Sequence, residues 1–113
     1  MYTLIHKDTI FHYFGEDNEM AIQMVEVIME TNLKDLMKLP ELYDRKEYLK
    51  IRTRCHKGKS TMSYIGALQV RKLLEEIEKD PKKIYPEHKD QLHHYLQILE
   101  RELHNFLVEQ KAM

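Results

Sequence analysis

Cysteine, glycine and proline are scarce in this chain, and each scarcity removes a class of protein. The single cysteine, Cys55, excludes an internal disulfide and any cysteine-rich zinc module, and it fits a reducing compartment. Three glycines and three prolines leave few breaks. Leucine, methionine, glutamate and lysine dominate the remainder, so helix is favoured over strand throughout. No run of about eighteen apolar residues occurs, so no segment is expected to span a membrane. Nor does Met1-Tyr-Thr-Leu-Ile-His-Lys-Asp have the basic region and apolar core of a signal peptide. One third of the residues are charged, yet the formal net charge is -1, without the overall field typical of nucleic-acid or acidic-membrane binders. A single cytoplasmic domain over residues 1–113 is expected, with no nucleic acid and no membrane among its partners.

The apolar periodicity predicts an all-α fold. Ile10, Phe11 and Phe14 form a brief first helix closed by Gly15. Asp17 is placed to cap a long second helix that carries Ala21, Met24, Val25, Ile28, Leu33, Leu36 and Met37 inward and ends at Pro40. Residues 41–44 are expected to be a connection, and a third helix starts near Asp44. A break between Ser63 and Gly66, with Ser63 capping the next segment, leads to a fourth helix from Ile65 to about Lys79. Pro86 suits the first turn of a last helix, in which Leu92, Leu96, Leu99, Leu103 and Phe106 step near 3.5 residues. Short connections imply an antiparallel up-down four-helix bundle with a short additional N-terminal helix. No apolar stripe remains after the core is assigned, which points to a monomer.

The third helix is the informative one. At about 100° per residue, Tyr48, Ile51, Cys55, Gly58, Met62 and Ile65 make a buried seam. His56 lies off that seam, and Arg52, Lys59, Ser60 and Ser63 fall within roughly 60° of its direction. A histidine with a cation three residues on and small hydroxyl side chains at four and seven is placed to receive an anionic group. Arg54 and Lys57 extend the basic character, although cations on a helix are usually only solvated.

These residues resemble the motif of histidine-containing phosphotransfer (HPt) domains. His56 and Lys59 have the H-x-x-K spacing, Ser60 and Ser63 are small, and Gly66-Ala67 follows; Val70, Leu74, Ile77 and Glu78 continue the register. Phe14-Gly15-Glu16-Asp17 is similar to a common opening of the family. Two positions depart: Gly58 replaces an apolar residue, at about 1 kcal/mol of helix propensity relative to alanine, and Ser60 stands where glycine is more usual.

The resemblance implies a phosphorelay carrier. His56 would be the phosphoacceptor, taking a phosphoryl group from a receiver-domain aspartate and passing it to another receiver. Lys59 would offset the phosphoryl charge, and Arg52, Lys57, Ser60 and Ser63 would contribute to binding. The implied partners are response regulator receiver domains and a hybrid histidine kinase. No cofactor of the chain's own is implied, since Mg²⁺ sits in the partner receiver. An imidazole keeps a large neutral fraction at cytosolic pH, as a nucleophile requires.

Two other readings compete. One is a helical adaptor, or pseudo-HPt, that binds a receiver without carrying phosphate, for which Gly58 is the feature. The other is a kinase-associated domain phosphorylated directly by an ATP-binding partner. His88, His93 and His94 lack the spacing of a bundle metal site. Cys55 points into the seam, where a thiol packs rather than reacts.

Overall fold

Seven helical segments follow one another without a strand among the described residues, 2–112, of the computed structural model. They are α1 (Lys7–Phe14), α2 (Asn18–Glu30), α3 (Asn32–Met37), α4 (Leu39–Asp44), α5 (Tyr48–Tyr64), α6 (Leu68–Lys79) and α7 (Pro81–Lys111). No helix among the described residues is long and apolar enough to cross a membrane.

The expected second helix is divided into α2 and α3, and α4 follows over the stretch expected to be a connection. Asp17 does cap α2, accepting from the Glu19 amide at 3.0 Å. At Thr31 the backbone bends to φ -116°, ψ -78°, and the threonine hydroxyl donates to the Val27 carbonyl at 2.7 Å, the back-bonding by which a mid-helix threonine bends a helix. Pro40 does not open a connection. It occupies the first turn of α4, where the missing amide costs nothing, so residues 41–44 are helical and Leu39 and Leu42 are buried.

The seam of α5 matches its periodicity: Ile51, Cys55, Gly58 and Met62 are all buried. Gly58 leaves no void. A Cβ there would stand 3.0 Å from Leu74 Cδ1 and 3.3 Å from Leu36 Cδ1, so the neighbouring leucines of α6 and α3 already fill the space. Between α5 and α6 the chain turns through Ile65–Ala67, with Gly66 at φ +75°. Ser63 does not cap α6, whose first residue is Leu68 rather than Ile65; its hydroxyl donates back to the Lys59 carbonyl.

The last helix begins at Pro81, five residues before the expected start, with the Asp80 carboxylate accepting from the Lys83 amide. Pro86 therefore lies inside the helix, where its ring nitrogen cannot donate to the carbonyl of Lys82. The Tyr43 hydroxyl supplies the missing donor at 2.8 Å. At about 1.5 Å per residue the 31 residues of α7 span the 45 Å long axis of the molecule. Leu92, Leu96, Leu99, Leu103 and Phe106 are buried along it, as their spacing predicts.

Helix neighbours form a closed circuit: α5 lies against α3, α4 and α6, α6 against α7, and α7 against α2 and α3. The N-terminal segment before α1 is tied to this scaffold by Glu102, a buried carboxylate on α7. It accepts from the amides of Thr3, Leu4 and Ile5 at 2.7, 2.9 and 3.1 Å and from the Thr3 hydroxyl at 2.7 Å.

Candidate functional site

The site is assembled by the α5–α6 hairpin. Because its turn is only a few residues long, positions equally distant from Ala67 face each other, and His56 and Glu78 stand eleven residues before and after it. The Glu78 carboxylate bridges two side chains of α5. One oxygen lies 2.6 Å from His56 Nδ1, and the other lies 2.8 Å from Lys59 Nζ. Arg52 Nε donates at 3.1 Å to the Glu78 carbonyl, one of the last-turn carbonyls of α6 that have no intrahelical partner. Arg52, His56 and Lys59 thus meet on one acidic residue.

Electrostatics fix the roles. The Lys59 ammonium holds the Glu78 carboxyl below the usual carboxylate range; partial burial opposes this, and the hydrogen bond from His56 adds to it. Glu78 is therefore ionised at neutral pH and can only accept, so Nδ1 is the nitrogen that carries a proton. In the neutral ring the lone pair then sits on Nε2. The His56 side chain is 69% exposed, whereas that of Lys59 is 22% exposed. The imidazole is anchored at one nitrogen and open to solvent, while the ammonium beside it is held in place.

The other expected site residues separate. Ser60 is exposed one helical turn beyond His56. Ser63 shares the angular face of His56 but sits two turns along, about 10.5 Å by helical rise. Its hydroxyl is engaged by the Arg71 guanidinium as well as by the Lys59 carbonyl, so the structure does not bring it to the imidazole. Lys57 is exposed and turned toward α3, lining a groove with Asn32, Asp35 and Arg54. Arg54 donates at 3.0 Å to the Asp35 carbonyl and is occupied in holding α5 to α3. Cys55 is fully buried; burial, with the Glu78 charge adding, pushes its thiol up to about 12, so it stays protonated and inert.

Glu78 is the site residue that sequence reasoning missed. Its signal was the mirror position across the Gly66 turn, visible only once the hairpin is assumed. Exposed apolar side chains also flank the imidazole along its own helix. Leu49, 73% exposed, precedes it by two turns. Tyr64 follows by a little more and stacks edge-on with Tyr13 and Phe14 at ring distances of 5.1 and 5.9 Å. Leu68 is exposed just beyond.

No family model matches the chain, and no curated protein and no solved structure matches it.

Proposed function

We propose that the protein is a histidine phosphocarrier of the HPt type, with His56 as phosphoacceptor. The observation that carries the reading is the His56–Glu78–Lys59 arrangement. A carboxylate accepts from Nδ1–H, which orients the ring and leaves the lone pair of the neutral imidazole on Nε2. In transfer, the Nε2 lone pair attacks the phosphorus of an aspartyl phosphate on a receiver domain, and the bond from phosphorus to the aspartate oxygen breaks. The aspartate leaves as a carboxylate. The phosphorylated ring is left with its proton on Nδ1, next to Glu78. Passing the group to a second receiver reverses these steps.

Lys59 offsets charge on the transferred group, although it shares its own charge with Glu78. Mg²⁺ belongs to the receiver in this scheme, and a hybrid histidine kinase would stand upstream. Leu49 on one side and Tyr64 with Leu68 on the other supply the apolar flanks of a docking face centred on the imidazole. The circuit of α2–α3, α5, α6 and α7 is read as the four-helix bundle of such carriers. The adaptor reading loses its main support, because the space that Gly58 leaves is filled by Leu36 and Leu74.

The test is incubation of the protein and its His56→Gln variant with phosphorylated receiver domains. Wild type takes an acid-labile label, and the variant takes none while keeping its helical circular-dichroism spectrum. Label retained by the variant would exclude His56.

A further inference from the structure

Two cations flank His56 on α5, one turn to either side, and their surroundings differ. Lys59, three residues after it, is 22% exposed, and its ammonium lies 2.8 Å from the Glu78 carboxylate. That pair has no net charge. Arg52, four residues before it, is exposed and forms no ion pair with a carboxylate among the described residues. Only its Nε is engaged, donating at 3.1 Å to the Glu78 carbonyl. The guanidinium is thus tethered while its two terminal nitrogens keep their donors and its charge stays uncompensated.

The tether places that charge close to the reacting ring. Residues four apart on a helix are neighbours, with Cβ atoms about 5–6 Å apart. Helical side chains lean toward the N-terminus, so the imidazole leans over the turn that carries Arg52. Both side chains are also held by one residue of α6, the imidazole by the carboxylate of Glu78 and the guanidinium by its carbonyl.

We infer that Arg52 is the principal ligand of the phosphoryl group on His56. Its terminal nitrogens donate to the phosphoryl oxygens in the forked geometry that arginine offers phosphate. Lys59 contributes mainly by cancelling the charge of Glu78, which would otherwise repel the incoming anion. The inference rests on the phosphocarrier reading and adds to it the group that recognises the anion.

Phosphoramidate is the probe, because it phosphorylates histidine without a receiver domain. The Nε2 lone pair forms the new bond to phosphorus, the P–N bond of the reagent breaks, and ammonia leaves. In the treated full chain, the phosphorus resonance that His56→Gln lacks belongs to phosphorylated His56, and its shift against pH gives the phosphoryl pKa. A neighbouring cation favours the dianion and lowers that value. Arg52→Gln keeps a donor for the Glu78 carbonyl and removes the charge. It should raise the phosphoryl pKa by about half a unit or more at low salt, and by less in 1 M salt, where the Debye length is about 3 Å. Arg52→Lys keeps the charge and should recover about half of the shift or more. Arg52 is exposed, so both variants should keep the helical circular-dichroism spectrum. If Arg52 only caps α6, Arg52→Gln lowers Tm and leaves the phosphoryl titration where it was in the wild type. That result, with His56 labelled, overturns the inference alone. Failure of phosphoramidate to label His56 overturns it together with the reading on which it rests.

Discussion

Gly66 is the residue whose identity the backbone dictates most strongly. Its φ of +75° is a conformation that other residues reach only with strain, and a Cβ would stand 2.4 Å from His6 Cβ. The N-terminal segment crosses directly over the turn, with the His6 amide donating to the Ile65 carbonyl at 2.8 Å. Gly66→Ala therefore incurs the left-handed penalty and displaces that segment. A loss of about 2 kcal/mol or more is expected, read from the midpoint of urea denaturation. Gly58 is a glycine for another reason. Its φ is ordinary and it sits mid-helix, and what it permits is the close approach of Leu36 and Leu74. The propensity cost seen in the sequence is offset there by packing, which periodicity alone does not reveal.

At the scale of elements, the start of α7 shows how a local rule is overridden from a distance. Proline fits a first turn, and on that ground Pro86 marks a helix start. Yet Asp80 and Pro81 form an equally good start, and the helix runs on through Pro86 because Tyr43, on α4, satisfies the carbonyl that the proline abandons. Tyr43 is held for that task between Tyr48 and Tyr85, at ring distances of 5.5 and 5.2 Å. Tyr43→Phe should cost about 0.5–1 kcal/mol. In a Pro86→Ala background the alanine amide donates to the same carbonyl, so the cost of Tyr43→Phe should fall toward zero. A double-mutant cycle by thermal denaturation measures this, and an unchanged cost would deny the coupling.

For the whole molecule, Glu102 joins the two ends of the described chain. Burial alone would raise its carboxyl, but the amides of Thr3, Ile5 and Leu4 and the Thr3 hydroxyl outweigh burial and hold it below the usual carboxylate range. A carboxyl lowered by folding contributes stability that is present above its unfolded value, near pH 4.3, and is lost as pH falls through the folded value. Glu102→Gln should thus cost about 2 kcal/mol at pH 7. The gap between wild type and variant should stay constant from pH 6 to 8 and narrow as the pH falls below about 4. Urea midpoints across that range check it, and a gap that widens in acid would reverse the sign. Release of the N-terminal segment in acid should also expose the Gly66 turn that it covers.

The helical state, the seam of α5, the leucines of α7 and the pairing of His56 with Lys59 were legible in the sequence. Each depends on spacing within one helix, and that spacing is set by backbone geometry wherever the helix sits. The same arithmetic placed Ser63 with His56, because angle ignores rise and ignores Arg71, which claims the hydroxyl. Glu78 beside His56, Glu102 beneath the N-terminal segment, and Tyr43 against the Lys82 carbonyl are separated in the chain by 22, 97–99 and 39 residues. Such contacts exist only after the helices have chosen their neighbours. Tertiary structure decided them, because an unpaired polar group or an open carbonyl is satisfied by whichever donor packing brings within reach, and no local pattern records which one that is.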